Sequence, residues 1–472
     1  MDYKKLANLL FSKDIKDISY YESKYKPRDL KDGAKVTRFA PSPTGFIHFG
    51  GLFTSFVGNV VARQSGGIQI LRIEDTDQKR KIDKGVDLII NGLKNFDIDF
   101  DEYPGKGDYG PYIQSQRKDI YQAYAKYLVE KGRAYPCFCS PEKLENDKKQ
   151  QEANKELIGY YGPYAHCRNL SYKEIEQKVN NGEKFAIRLK VPEDFEKKIV
   201  YKDAIRGKMT IHNNHKDVVI LKRDGGLPPY NFAHIIDDHL MRVNLAMRGD
   251  EFLPSLAEHI QIYKALDLKP IKYAHIAPIQ KVENGKKRKL SKRKDPEAAV
   301  EYYYKKGYPS QSVMEYIMTI ANSNFENWRQ QNPHKDLSEF EFNLKKMNTS
   351  GALFDEIKLN DVSKNVISKF SANYVYEKTL KWASNHDKEL YDLFIKYREY
   401  TIRMLNIERE KKKPRKDIGK WSDVKYLHSF FYDELFNPMY KKDYDFEYEK
   451  INYDDLKYIF DEYLKRYDKQ DD

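Results

Sequence analysis

Apolar positions along the chain fall into short unbroken runs and helical spacings, separated by glycine- and proline-rich breaks. Lys35-Val-Thr-Arg-Phe-Ala40 is apolar enough for a buried strand, and Pro41-Ser-Pro-Thr-Gly45 breaks the chain behind it. From Leu52 to Arg63 apolar residues recur at helical spacing, and Gly66-Gly67 stops that helix. Ile68-Gln-Ile-Leu-Arg-Ile73 then reads as a second strand, followed by the acidic Glu74-Asp-Thr-Asp77. Strand, helix and strand in this short span form a βαβ unit, which implies a parallel sheet.

The pattern changes near residue 113. Residues 113–222 read as an insertion with a Lys/Glu/Gln-rich helix from Pro141 to Leu157 and strand-like runs at Phe185–Val191 and Val218–Leu221. The α/β pattern resumes at Leu227-Pro-Pro-Tyr-Asn-Phe-Ala-His-Ile-Ile236. From Pro309 onward Tyr, Leu and Phe recur at three- and four-residue spacing, the mark of a helical region. Residues 1–33 read as a short helical extension ending at Asp32-Gly33.

Composition narrows the class. The chain has 472 residues, 40% hydrophobic and 33% charged, enough to bury cores in several domains. Lys and Arg number 84 against 72 Asp and Glu, a net +12, which suits a polyanionic partner and equally a soluble basic enzyme. No apolar run approaches the ~18 residues of a spanning helix, and the N-terminal run Leu6–Phe11 is too short for a signal peptide. Three cysteines make no disulfide framework, so a reducing compartment is expected, the cytoplasm.

Four groups of residues carry candidate chemistry. In Pro41-Ser-Pro-Thr-Gly-Phe-Ile-His-Phe-Gly-Gly51 a strand enters and a helix leaves, and the helix N-terminus offers free N–H groups to phosphate. Gly45 and Gly50 have P-loop spacing, but Gly51-Leu52 replaces the Lys-Ser/Thr that a P-loop requires. His48 can donate to a phosphate oxygen or cap the helix. The second group, Lys286-Lys-Arg-Lys-Leu-Ser-Lys-Arg-Lys294, has seven basic residues in nine. Leu290-Ser291 inside the run and Asp295-Pro296 after it suggest a fixed loop presenting Lys289 and Lys292 to one anion, against the ordinary reading of a solvated face. Third, Cys137-Phe-Cys139 and Cys167 have the spacing of a zinc knuckle or are three small buried hydrophobes. Tyr160, Tyr161, Tyr164 and His166 all stand near enough in sequence to complete a site. Fourth, Arg38, Glu74, Tyr230 and Arg248 lie at strand ends or in adjoining loops. Together, arginine on a carboxylate and glutamate on an ammonium would hold an amino acid.

These motifs occur in one order: Arg38-Phe-Ala-Pro-Ser-Pro-Thr-Gly-Phe-Ile-His-Phe-Gly-Gly51, Leu71-Arg-Ile-Glu-Asp-Thr-Asp77, Arg248-Gly-Asp-Glu-Phe252 and Lys289-Leu-Ser-Lys-Arg293. The combination resembles the bacterial glutamyl-tRNA synthetases, a branch of the class I aminoacyl-tRNA synthetases. His48-Phe-Gly-Gly51 corresponds to the first class signature, with glycine in place of the final histidine as is usual in this branch. Lys289-Leu-Ser-Lys-Arg293 corresponds to the second. The likeness is strong from Lys35 to Pro296 and runs more weakly to about residue 420 through Ser350–Asp361.

The resemblance implies an α/β fold: a Rossmann-like parallel-sheet catalytic domain over 34–112 and 223–271, and an α+β acceptor-binding insertion over 113–222. A linking domain over 272–370 would carry the Lys-Leu-Ser-Lys-Arg loop, with an all-α anticodon-binding region over 371–472. The activity implied is ATP- and Mg²⁺-dependent formation of glutamyl-adenylate and transfer of glutamate to the 3′ adenosine of tRNA(Glu). The alternatives are an enzyme that also charges tRNA(Gln) with glutamate, and a non-catalytic tRNA-binding module. Catalysis would rest on His48, Lys289 and Lys292. ATP would lie against Pro41, Ser42, Thr44, Gly45, His48, Gly50, Gly51, Leu290, Ser291 and Lys292. Glutamate would contact Arg38, Ala40, Ser42, Glu74, Tyr230, His234 and Arg248, where His234 replaces the asparagine of many relatives. Structural zinc would be held by Cys137, Cys139, Cys167 and a fourth ligand, Tyr161 or Tyr164, with Tyr161 taken as the candidate. Between Arg403 and Lys425 lie nine basic and four acidic residues among aromatics, which suits an unstacked anticodon loop; Arg409, Lys411, Arg415 and Lys416 are the candidate tRNA contacts. Only 179 residues follow Arg293, so a second anticodon-binding domain is expected to be reduced or missing. A monomer without membrane association is expected.

Overall fold

The computed structural model describes residues 1–43, 47–77, 85–192, 196–223, 226–440 and 453–466. It divides into two compact units, Met1–Val366 and Ile367–Asp472.

The first unit is built on parallel strands. Val36–Phe39 pairs in parallel with Ile68–Leu71, and Leu245–Gly249 with Lys272–Ile276. The two pairs meet through Asn244. Its backbone N–H donates to the Val36 carbonyl (3.1 Å), while its side-chain oxygen accepts from the Val36 N–H (3.0 Å). Val36–Phe39 is therefore central, with sequence neighbours leaving it in opposite directions on its two sides. This is the switch point at which an open parallel sheet forms a crevice outside the carboxyl ends of its strands. The strands are buried on both faces, as their near-continuous apolar runs require. The helix Phe49–Gln64 covers the sheet with Leu52, Phe53, Phe56 and Val57. It begins earlier than the apolar spacing suggested, because Phe49 is itself fully buried.

The insertion carries a three-stranded antiparallel sheet with Ala186–Leu189 between Ala134–Cys137 and Val219–Leu221. The Lys/Glu/Gln-rich helix ends at Ala153, short of Leu157. A further hairpin, Lys198–Asp203 with Gly207–His212, was not legible as strands in the sequence. Its outer face is exposed along alternate positions, so its residues lack a continuous apolar run. Its inner end joins the parallel sheet: the Ala204 N–H donates to the Tyr273 carbonyl (2.9 Å). The N-terminal extension forms helices Tyr3–Leu10 and Ile18–Lys24. Leu6, Ala7, Tyr21 and Tyr25 are buried in the core shared with the helix Lys118–Glu130, and Glu22 binds His239 (2.6 Å) and Arg242 (3.1 Å).

The second unit is helical. Ala372–His386, Lys388–Lys396 and Arg398–Asn406 enclose a core of Val375, Trp382, Leu390, Phe394 and Leu405, which Trp421 and Val424 close from the following segment. Among the described residues no helix is long and apolar enough to cross a membrane.

Candidate active site

The crevice at the switch point is a cleft of about 350 Å³. Its walls include Arg38, Ala40, His48, Gly50, Gly51, Glu74, Tyr230, Arg248, Lys289 and Leu290, drawn from both signatures and from the four scattered residues. Each arrives from a strand end or an adjacent helix. Arg38 and Ala40 end the central strand. Glu74 follows the neighbouring strand and is fixed by its N–H donating to the Pro41 carbonyl (3.0 Å). Tyr230 opens the helix Tyr230–Leu240, and Arg248 lies in the strand Leu245–Gly249.

His48 both caps a helix and faces the cleft. Its Nδ1 accepts the Gly50 N–H at 2.9 Å, the N-cap of Phe49–Gln64. Burial, then the charges of Lys292 and Lys289, hold its pKa below the ordinary value, so the ring stays neutral near pH 7. A methyl group placed on Gly50 would come to 3.3 Å from His48 Nδ1, and one on Gly51 would meet only Ile47 and Phe39 at 3.4 and 3.5 Å. The protein leaves room for a side chain at Gly51, so the demand for glycine there falls to a ligand that approaches the backbone.

The basic run is a hairpin and a turn. Gln280–Glu283 pairs antiparallel with Lys286–Lys289, so the first half of the expected loop is strand. The turn after it is pinned by Asp295, only 2% exposed. Asp295 receives both terminal nitrogens of Arg288 (2.6 and 2.7 Å) and the Ser291 N–H (2.8 Å). These donors hold its carboxyl well below the usual range. The Leu290 N–H donates to the Ile279 carbonyl (2.9 Å), and the Val300 N–H to that of Ile47 (3.2 Å), which set the hairpin beside the first signature. Lys289 stays largely exposed on the cleft, 3.8 Å from Glu251. Ser291 and Lys292 lie on the turn just beyond the residues that wall the cleft. Pro41 and Ser42 likewise stand outside the lining, and Thr44 and Gly45 lie outside the described residues.

His234 is a correction. It is fully buried, stacked against Tyr230 (ring centroids 4.8 Å apart, 12° between planes), and both ring nitrogens are engaged, by the Tyr230 carbonyl (3.2 Å) and the Tyr273 hydroxyl (3.1 Å). It supports the wall from behind. Burial and the charges of Arg248, Arg38 and Arg72 drive its pKa well down, so it is a neutral ring there.

The wall divides into two electrostatic halves. On one side Arg72 is fully buried and binds Asp238 (2.6 Å) and Glu74 (3.0 Å), while Arg38 lies 3.4 Å from Asp238. Burial outweighs these arginines and raises the Glu74 pKa. On the other side Arg248, 4% exposed, donates from Nε to His275 Nε2 and from Nη2 to His259 Nδ1, both at 3.0 Å. Its Nη1 is buried without a hydrogen-bond partner. Asp203, His259, His275 and Asn231 were missed in the sequence. The histidines inside the apolar runs Lys272–Ile276 and Leu256–Ala265 were the available signal, whereas Asp203 comes from the hairpin that the pattern did not reveal.

The three sulfurs of Cys137, Cys139 and Cys167 lie within 4.8 Å of one another, with Cys139 and Cys167 3.6 Å apart. Zinc–sulfur bonds near 2.3 Å at a tetrahedral angle place sulfurs about 3.8 Å apart, so the residues fit such an ion. The nearby oxygen is that of Tyr160, 3.4 Å from both Cys137 and Cys139. This corrects the choice of Tyr161, whose hydroxyl donates to the Leu157 carbonyl (2.7 Å), and of Tyr164, which binds Glu156 (2.7 Å). One residue of register decides it, because Tyr160 is buried and its successor turns outward.

In the helical unit the candidate contacts separate. Arg409 is 6% exposed and donates to the Leu405 and Ile367 carbonyls (both 2.9 Å). It caps backbone from inside the core, which corrects its assignment as a tRNA contact. Arg415 is half-buried between Asp417 (3.0 Å) and His428 (2.9 Å). Lys411 is exposed beside Glu408 (2.7 Å), and Lys416 is exposed.

Residues 35–361 match the family of tRNA synthetases class I (E and Q), catalytic domain. A glutamate–tRNA ligase of Acetivibrio thermocellus is 48% identical over 477 aligned positions, covering all of this chain and 86% of the relative. One from Clostridium perfringens is 48% identical over 472 positions, covering 99% and 86%. Among solved structures, a glutamate–tRNA ligase of Elizabethkingia meningosepticum in complex with its amino acid superposes with a TM-score of 0.71 at 28% identity, over 84% of this chain and 80% of that one. The ordered signatures, the cleft they share and these likenesses agree: the chain belongs to the class I tRNA synthetases of the E and Q group.

Proposed function

We propose that this chain is a glutamate–tRNA ligase, which activates glutamate with ATP and Mg²⁺ and esterifies it to tRNA. The observation that carries the reading is the single cleft in which Arg38, Glu74, Tyr230 and Arg248 face His48, Gly51 and Lys289. In the first step an oxygen of the glutamate α-carboxylate attacks the α-phosphorus of ATP. The bond to the β-phosphate oxygen breaks, and pyrophosphate leaves with the bonding electrons. Negative charge grows on the phosphoryl group, which calls for positive donors already in place. Lys289 and Lys292 supply them, while Gly50 and Gly51, whose N–H groups go to His48 Nδ1 and the His48 carbonyl, carry no side chain and let the phosphates come close to the backbone. Neutral His48 donates without adding charge. In the second step the 3′-terminal ribose hydroxyl attacks the acyl carbonyl and AMP leaves.

Glu74 takes the substrate ammonium, and Arg38 and Arg248 take carboxylate. A buried arginine left without an anion is costly, so an amide in its place is rejected. Cys137, Cys139, Cys167 and Tyr160 would hold zinc as a structural clamp on the insertion. Lys411, Lys412, Lys413 and Lys416 offer exposed cations to tRNA phosphates.

The test is aminoacylation of tRNA(Glu) and tRNA(Gln), each with glutamate and with glutamine, with and without ATP. ATP-dependent charging of tRNA(Glu) with glutamate is expected. Charging of tRNA(Gln) with glutamate as well would make the enzyme a relaxed one that supplies an amidotransferase. Binding of tRNA with no charging would overturn the reading.

A further inference from the structure

The two halves of the cleft wall treat their arginines differently. Arg72 and the nearby Arg117 are held by carboxylates, Asp238 and Asp237, each at 2.6 Å, and Arg38 donates to the Met247 carbonyl with Asp238 3.4 Å from its Nε. Arg248 is held by imidazoles, and neither of its hydrogen bonds goes to a carboxylate. A guanidinium can only donate, so each ring nitrogen facing it must be an unprotonated acceptor. His275 accepts at Nε2, and its proton sits on Nδ1 and is donated to Asp203 (2.7 Å). His259 accepts at Nδ1, and its Nε2–H is donated to the Asn231 side-chain oxygen (2.8 Å). Both rings are therefore neutral. Burial, together with the Arg248 charge, keeps both pKa values low. Asp203 stays ionised: burial works against its charge, but His275 and the Ile205 and Arg206 amides outweigh it. It stands one imidazole away from Arg248 and makes no direct ion pair with it.

We propose that His259 and His275 are positioning residues that fix the Arg248 fork without bonding a carboxylate to it, and that this neutral cradle gives the site its preference for a carboxylate over an amide. It deepens the reading that Arg248 binds substrate carboxylate, and it rests on that reading. A carboxylate in either cradle position would orient the arginine equally well. It would also neutralise the arginine in advance, and the incoming anion would gain less by replacing water. With neutral acceptors, the partnerless Nη1 belongs to a guanidinium that no carboxylate bonds directly. Tyr273, whose ring lies 4.1 Å from the Arg248 guanidinium carbon, adds contact without adding charge.

The experiment compares two nearly isosteric replacements, His259→Gln and His259→Glu, in aminoacylation kinetics for glutamate, glutamine and ATP. Glutamine offers a neutral acceptor and glutamate a charged one. The His259→Gln enzyme should lose at most about fivefold in kcat/KM for glutamate, whereas His259→Glu should lose about a further twentyfold, with the ATP KM held within about twofold. Its preference for glutamate over glutamine should shrink by a similar factor, which a merely structural defect would not produce. Equal kinetics for the two variants would overturn the proposal. Arg248→Gln separates the layers: an unchanged glutamate KM would remove Arg248 from the site and so fail the underlying reading. A large rise in that KM, with the two His259 variants alike, would fail this inference alone. Asp203→Asn provides the second line. The amide can drive the His275 proton to Nε2, against the Arg248 N–H, so the glutamate KM should rise about tenfold at an unchanged melting temperature. An unchanged KM would also overturn the proposal.

Discussion

The basic hairpin at 286–294 and the basic segment at 409–425 look alike as sequence and differ as structure. In the first, Arg288 is bound to Asp295 and Glu283, while Lys289 remains largely exposed on the cleft. In the second, Arg409 is sealed in the core, Arg415 is held by Asp417 and His428, and Lys425 by Asp387 and Glu389. Lys412, Lys413 and Lys416 stay exposed. Arg288, Arg409 and Arg415 are used to build the fold, while Lys289, Lys412, Lys413 and Lys416 face outward. The guanidinium fork suits fixed, multiple hydrogen bonds to carboxylates and carbonyls, and the ammonium is a strongly hydrated point charge that a mobile stem can carry to phosphate. The regions differ in what their lysines meet. Lys289 stands on a shaped cleft, and Lys412, Lys413 and Lys416 of the helical unit are exposed outside it.

The largest expected effect tests the cleft side. Lys292→Ala should lower the rate of glutamate activation about 10²-fold, as loss of one preorganised donor does; a rate within about threefold of the parent would show that its charge is as dispensable as a surface one. Arg288→Ala should act indirectly by freeing the turn from Asp295. A fall of about tenfold in the same rate, with the ATP KM rising, is expected from a displacement of the neighbouring lysines. If Arg288→Ala were silent, the division between building arginines and working lysines would fail in the hairpin.

On the helical side the triple change Lys412→Ala, Lys413→Ala and Lys416→Ala should weaken tRNA binding by several-fold at about 0.1 M salt. It should also reduce the slope of log affinity against log salt by about 2, at roughly 0.7 per lost phosphate contact on a single strand. Arg409→Ala should do the opposite, loosening the helical unit in thermal melting while leaving the salt slope in place; a lost slope without a lost melting transition would return Arg409 to the tRNA surface. The smallest effect is one of pH. Burial raises the Glu74 pKa above its ordinary value, and the ionised form is the one that binds ammonium. Acidification from neutrality should therefore cost kcat/KM for glutamate as pH falls through a midpoint above the usual glutamate range. Affinity for tRNA does not involve the Glu74 carboxylate, so it should hold across the same interval.

Much of the cleft was legible because its chemistry lies in contiguous signatures at the ends of strands, and a βαβ period tells where those ends are. Arg38, Glu74, Tyr230 and Arg248 were legible as residue types but not as neighbours. The tyrosine beside the cysteines was misread by one position: in a short turn either of two adjacent side chains can face inward, and burial of Tyr160 chose. His234 was read as a contact because it stands at a contact position, yet its ring stacks behind Tyr230.

By itself the sequence determined the parallel α/β unit, the insertion, the helical region and the two signatures, since each is encoded by local periodicity or by a motif whose residues are near in the chain. Only the tertiary structure decided which charges are compensated. Asp203 comes from a hairpin 72 residues before His275, and His259 and His275 converge on Arg248 from two further elements. Whether an arginine is neutralised by a carboxylate or cradled by neutral imidazoles depends on contacts between distant segments, and local pattern carries no record of them.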